Sequence, residues 1–311
     1  MLTILGITGP IFILIGLGFA AVRRGILAKA ELRALGAFVI NFAMPALLFR
    51  AMREQAAGQL LDPRLFAIYT LGSLAMAGLV IGYALLIRRQ SLQTGSILAM
   101  GVSISNSAYI GFPIAQQVLG SQASAMLAIY VSVESMIMLP LLMTLAELGG
   151  QRHAAWWQVV AGILGRLARN PMLLGILAGV LFAGLDLPVP LPISRAIDML
   201  ASASGPVALF YIGGILAGLS LRSLSADVGS VLLGKLIVHP LLLLGVFLLL
   251  PAVDPALQKA AVLNAAMPMM SIYPILGQKY GREEMCTATL VATTVISFFT
   301  ISSLLWLMGV S

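Results

Sequence analysis

Residues 1–150 look like the same segment as 162–311, displaced by 161 positions with no gap needed. Phe112-Pro113-Ile114, with Gln117 and Gly120 behind it, returns as Tyr273-Pro274-Ile275 with Gln278 and Gly281. Pro45, Leu48 and Phe49 return as Pro206, Leu209 and Phe210, and Pro10 and Gly18 return as Pro171 and Gly179. Proline removes a backbone donor and crowds the preceding turn, so it is not scattered freely through apolar helices. Three prolines at one offset therefore mark a duplicated unit. Each half holds an odd number of apolar stretches, so the two copies run through a membrane in opposite senses. An inverted repeat with matching proline-broken stretches is the sequence signature of an alternating-access carrier.

The apolar stretches set the fold class. The chain is 60% hydrophobic and 9% charged, with a mean hydropathy of +1.04, which leaves too little charge to cover a water-soluble surface. A membrane span takes about 20 apolar residues. Ten such stretches lie at 4–22, 34–52, 65–87, 93–119, 122–146, 168–185, 197–219, 229–250, 256–278 and 286–308. The expectation is an all-α membrane protein of ten transmembrane helices: a first five-helix repeat at 1–150, a connection at 151–161 within the wider loop 147–167, and a second, inverted five-helix repeat at 162–311.

A net charge of +7 invites a nucleic-acid reading, but the distribution of charge argues against one. With the N-terminus outside, twelve of the eighteen Lys and Arg fall in inside segments and five in outside ones, with Lys235 inside a span. Short loops obey the positive-inside rule, which puts both termini outside and the 147–167 connection in the cytoplasm. Trp156 and Trp157, close to Arg166 and Arg169, read as an interfacial amphipathic stretch. The first span lacks a basic stretch ahead of it and is expected to remain as a membrane helix rather than a cleaved leader. A lone Cys286 excludes an internal disulfide and reads as a small buried residue, and no Cys/His cluster suggests a metal, so no metal or cofactor is expected.

The fourth and ninth spans carry polar residues with Gly or Pro at mid-membrane depth. The fourth runs Ser103, Ser105, Asn106, Ser107, Tyr109, Gly111, Pro113; the ninth runs Asn264, Pro268, Ser271, Tyr273, Pro274. Such backbone survives in a bilayer where it lines a cavity. A helix restarting near Pro113 or Pro274 tolerates proline in its first turn and aims free N–H groups at the midplane. Two such ends make an anion site to which Asn106 and Asn264 add amide donors and the serines add hydroxyls. The competing reading is a pair of proline kinks with Asn and Ser bonding neighbouring helices. The cluster Met267, Met269, Met270 beside the second break is a candidate cavity wall.

Three ionisable residues lie inside spans. Glu134 is in the fifth; Lys235 and His239 share a face of the eighth, four residues apart. Buried charges in lipid are costly and are paired or functional, so Glu134 with Lys235 or His239 is a candidate coupling set. Against it stand a Lys235 that snorkels to the interface and a His239 that merely bonds a neighbouring helix.

These residues carry a resemblance to the auxin efflux carrier family of secondary transporters, which includes plant PIN-type carriers and bacterial malonate and other organic-acid carriers. It runs through Pro45-Ala-Leu-Leu-Phe49, Asn106-Ser-Ala-Tyr-Ile-Gly-Phe-Pro113 and the stretch from Asn264 to Pro274, and covers essentially the whole chain. The resemblance implies an antiporter-like fold in which helices 1, 2, 6 and 7 form a scaffold and helices 3–5 and 8–10 a transport domain, with the two breaks crossing near Pro113 and Pro274. It implies elevator-type alternating access in a plasma membrane, such as a bacterial inner membrane. It also implies a small organic-acid anion as substrate, recognised at Asn106 and the crossover, with Ser105, Tyr109, Gly111, Pro113, Asn264, Pro268, Ser271 and Pro274 as the binding set. Glu134, Lys235 and His239 look like its polar support cluster. Proton or sodium coupling and a homodimer both fit the resemblance. The plant carriers' third-span aspartate has no counterpart at 65–87. A sodium-coupled bile-acid-type symporter is the alternative, disfavoured because no acid lies between Lys259 and Glu283. An intramembrane enzyme finds no workable catalytic constellation, and a channel finds no ring of pore charges.

Overall fold

A computed structural model describes residues 2–54, 63–120, 122–150, 165, 168–218, 225–250 and 254–309. The Trp156–Trp157 stretch lies outside the described residues. Among the described residues the chain is helical, with α1 (Leu2–Arg23), α2 (Lys29–Phe38), α3 (Met44–Glu54), α4 (Pro63–Gly82), α5 (Leu92–Ser103), α6 (Phe112–Leu119), α7 (Gln122–Ser132) and α8 (Leu139–Leu148) in the first half. The second half holds α9 (Pro171–Gly184), α10 (Leu191–Ala217), α11 (Ala226–Leu233), α12 (His239–Leu249), α13 (Pro255–Ala265), α14 (Tyr273–Gln278) and α15 (Glu283–Leu307). Seven helices among the described residues are long and apolar enough to cross a membrane. Three of the ten expected stretches fall short of that length. Residues 171–184 form one short apolar helix, and the fourth and ninth stretches are each split in two, as α5/α6 and α13/α14.

Proline shapes the long helices without ending them. Wide π-turns occupy Val39–Ala43, Ser107–Gly111, Val133–Met138 and Gly234–Val238, and each stops two residues before a proline: Pro45, Pro113, Pro140 and Pro240. In all four, the residue just ahead of the proline donates its N–H five residues back: Met44 to Val39, Phe112 to Ser107, Leu139 to Glu134 and His239 to Gly234. The proline ring crowds the carbonyl four residues behind it, and one extra residue in the turn relieves the crowding. A fifth π-turn, Tyr83–Ile87, has no proline behind it, and we have no physical account of it.

Small residues bring helices together where lipid offers no hydrophobic drive. Gly18 on α1 packs so closely on α10 that a Cβ would strike the Phe210 carbonyl, and a Cβ on Gly213 would strike that of Ile15. Gly179 on α9 meets α3 in the same way, its Cβ position 2.7 Å from the Phe49 carbonyl oxygen. Gly18 with Phe210 and Gly179 with Phe49 are matching contacts at positions 161 residues apart. One apolar core joins α1, α3, α9 and α10 to the 107–115 segment, one face of α7, Leu263 and Met267 beside the second break, and Val291, Ile301 and Leu305 of α15. The other joins α4, α5, α11, α12 and α13 with the other face of α7, the 133–146 segment and the start of α15.

Candidate functional site

The site forms where two broken stretches pass each other. After Ser103 the chain turns extended at Ile104, with φ −110° and ψ 128°, and α13 ends at Ala265. The two strand-like pieces then pair, Ser105 lying antiparallel to Met269 and the Asn106 N–H donating to the Pro268 carbonyl at 2.7 Å. Beyond the crossing each helix restarts. The Asn106 carbonyl accepts the N–H groups of Ile110 (3.1 Å) and Gly111 (2.9 Å), so the restart is a π-turn beginning at Ser107, six residues before Pro113, near which the restart is expected from sequence. The N–H groups of Ser107, Ala108 and Tyr109 precede the first bond of that turn and open outward, as at any helix start. On the other side α14 begins at Tyr273 with Pro274 in its first turn, as expected.

A buried polar network lies behind the crossing. Oε1 of Glu134 accepts from the Tyr69 hydroxyl (2.9 Å), the Ser105 N–H (3.2 Å) and the Ser107 hydroxyl (2.7 Å). The Asn264 amide donates to the Tyr69 hydroxyl oxygen (2.9 Å) and to Ser107 Oγ (3.0 Å). Lys235 Nζ donates to Ser105 Oγ at 2.7 Å and lies 3.2 Å from His239 Nδ1. The ammonium thus reaches the carboxylate through Ser105 and not by the direct pairing expected from sequence. Lys235 and His239 have no exposed surface, so Lys235 does not snorkel. Glu134 and Lys235 each sit in a π-turn placed by the following proline, Pro140 or Pro240.

A cavity of about 360 Å³ opens against this network. Its polar wall is Ser105, Asn106, Ser107, Tyr109, Glu134, Ser135 and Ser271; Ile104, Val131, Leu139, Met270 and Ile272 give it apolar sides. The facing wall is Ile40 with Asn170, Pro171 and Met172 at the start of α9, where the Asn170 side chain caps the helix through the Met172 N–H at 3.0 Å. The Asn106 amide crosses the cavity edge to donate to Ser271 Oγ at 2.9 Å.

Of the expected binding set, the structure brings Ser105, Asn106, Tyr109 and Ser271 to the cavity wall. The others stand behind it. Asn264 holds Tyr69 and Ser107, and Gly111 lets that amide approach, since a Cβ there would lie 2.7 Å from Asn264 Oδ1. Pro113 faces Gly205 on α10, Pro268 supplies its carbonyl to the crossing, and Pro274 starts α14. Ser103 bonds its own helix at the Ala99 carbonyl. Of the three methionines, Met270 lines the cavity; Met267 and Met269 are fully buried. Sequence reasoning missed Tyr69 and the Asn170–Met172 wall. The repeat of Pro10 at Pro171 was the available signal for the latter; an apolar third span gave none for Tyr69.

Residues 7–307 match the family model described as "Membrane transport protein". A Rhizobium meliloti (strain 1021) protein named "Putative malonate transporter" is 31% identical over 312 residues, covering 99% of this chain and 96% of that protein. A Methanothermobacter thermautotrophicus protein named "Uncharacterized transporter" is 24% identical over 299 residues, covering 95% of each. The "Lysosomal cholesterol signaling protein" of Mus musculus is 26% identical over 302 residues, which span 90% of this chain and 34% of that protein.

Proposed function

Because the chain belongs to the membrane transport protein family, and so to the auxin-efflux-carrier-like transporters it resembles, we propose that this multi-pass membrane protein is a secondary carrier of organic-acid anions and that a carboxylate group docks in the cavity at the crossing. The observation that carries the reading is the polar wall itself. Ser105, Asn106, Ser107, Tyr109 and Ser271 line one space of about 360 Å³, and the Asn106 amide and the Ser271 hydroxyl meet at its edge. That volume suits a small acid, and dicarboxylates are the first class to try, given the name of the Rhizobium relative.

The remaining architecture belongs to the same proposal. We read the chain as ten spans in two inverted repeats, with 1–150 and 162–311 as the units. The mirrored contacts of Gly18 with Phe210 and Gly179 with Phe49 support this reading. The core joining α1–α3, α9 and α10 would be the scaffold, and the crossing with α4–α8 and α11–α15 would carry the substrate past it in an elevator movement. The cavity lies between the two groups, Ile40 and Asn170–Met172 on one wall and the crossing on the other, which is where alternating access needs it. The charge distribution supports termini outside and the central connection in the cytoplasm, and a plasma membrane is the membrane we assign to it.

Counterflow in proteoliposomes tests the function. Vesicles preloaded with unlabelled malonate should accumulate labelled malonate transiently above equilibrium. A labelled pool that is never stimulated by internal substrate would indicate a channel; a chemically altered label would indicate an enzyme.

A further inference from the structure

The cavity that would receive a carboxylate has a carboxylate in its wall. Glu134 lines it, and no Lys, Arg or His does. The three hydrogen bonds recorded to Glu134 all fall on Oε1, so its second oxygen is the one left to meet a ligand. The nearest base, Lys235, stands behind Ser105 and spends its hydrogen bonds on Ser105 and His239. From α4 Tyr69 faces Glu134, and on its own helix Tyr130 packs against the Tyr69 ring at 4.7 Å. The crossing presents Ser105 and Ser107, and the α9 wall presents uncharged Asn170, Pro171 and Met172. The buried cluster therefore holds one acid, Glu134, and two bases, Lys235 and the His239 imidazole beside it, and a charged Lys235 beside a neutral His239 balances Glu134. An arriving anion unbalances them inside a low-dielectric space, and it does so beside a second carboxylate. Two carboxylates in one site do not both stay ionised; one proton held between them removes the repulsion and cancels the charge of the docked carboxylate.

We propose that each carboxylate bound at the crossing takes up one proton from the water on its side of the membrane and shares it with the second oxygen of Glu134, so that anion and proton cross together. The proposal rests on the carboxylate reading above. The balance is simple: the substrate carboxylate, the Glu134 carboxylate and one aqueous proton give one O–H bond, on either partner, hydrogen-bonded to the other. No other bond forms or breaks, and the proton leaves with the anion. The placement suits the pair, because Asn106 and the Ser107–Tyr109 turn line the same cavity as Glu134, so one ligand oxygen would meet those donors while Glu134 would meet the other. Glu134 is thus both a ligand contact and the proton's partner.

The test is calorimetry of malonate binding to the purified full-length protein, in buffers of different ionisation heat, above neutral pH where free malonate is doubly ionised. The dependence of the heat on the buffer gives the number of protons taken up. The expected result is one proton per malonate in the wild type, with affinity falling about tenfold for each pH unit once uptake becomes limiting. In Glu134→Gln the amide supplies a fixed donor, so malonate should still bind, with no proton taken up and a flat pH profile. A wild type that binds malonate with no proton uptake, or a Glu134→Gln variant with undiminished uptake, overturns the proposal. If Glu134→Gln does not fold, Tyr69→Phe removes one of the bonds to Oε1 and must move the pH at which uptake is lost; an unmoved profile also overturns it. A folded wild type that binds no carboxylate at all would instead sink the carboxylate reading itself.

Discussion

Tyr69→Phe isolates the network behind the crossing. Tyr69 is fully buried, its hydroxyl donates to Glu134 and accepts from Asn264, each at 2.9 Å, and its ring packs on Tyr130. Phenylalanine keeps the ring and removes both bonds. In soluble proteins a hydrogen bond to a charged group is worth about 1.5–3 kcal/mol, but side-chain bonds between membrane helices average about 0.6 kcal/mol and reach about 1.7. The structure decides between these scales. Glu134 keeps its bonds from Ser105 and Ser107, and Asn264 keeps Ser107, so no charge or amide is stranded. Two bonds on the membrane scale give an expected loss of about 1–2 kcal/mol. Reversible unfolding in mixed micelles, followed by circular dichroism, measures it. In a double cycle with Asn264→Ala, the two changes should fall short of additivity by at least about 0.5 kcal/mol, since they share one bond. Wild-type stability for Tyr69→Phe, or strict additivity in the cycle, would refute the assignment of Tyr69 as the link between Glu134 and Asn264.

Asn106→Ala should weaken malonate binding by about 1–3 kcal/mol through the lost donor, measured by calorimetry, whereas Ser103→Ala, whose hydroxyl bonds its own helix, should leave it unchanged. Gly179→Ala forces a Cβ to within 2.7 Å of the Phe49 carbonyl oxygen and should cost about 1–3 kcal/mol in unfolding measurements; Gly78→Ala, where a Cβ meets nothing within 4 Å, is the matched control and should not destabilise. Gln151→Cys in a Cys286→Ser background should be shielded from an impermeant thiol reagent in intact cells and labelled after permeabilisation; labelling from outside would reverse the proposed topology.

The apolar stretches and the two breaks were legible in the sequence because each rests on local chemistry. Hydropathy sums over one stretch, and proline acts on the turn that contains it. The polar wall at Ser105, Asn106, Tyr109 and Ser271 could be read for the same reason, since polar residues at mid-membrane depth need a cavity wherever they occur. The roles of the remaining residues required the tertiary structure. Asn264 looks like Asn106 in sequence, yet it supports Ser107 and Tyr69 behind the wall. Glu134 and Lys235 look like a pair, yet Ser105 stands between them. Helical periodicity does not reveal these relations, because each π-turn adds one residue and so rotates everything beyond it by about 100°. With such turns at Val133–Met138 and Gly234–Val238, the face that each charged side chain presents depends on how its helix widened ahead of a proline. What that face then meets comes from segments distant in the chain, Tyr69 for Glu134 and Ser105 for Lys235, and only packing brings them together.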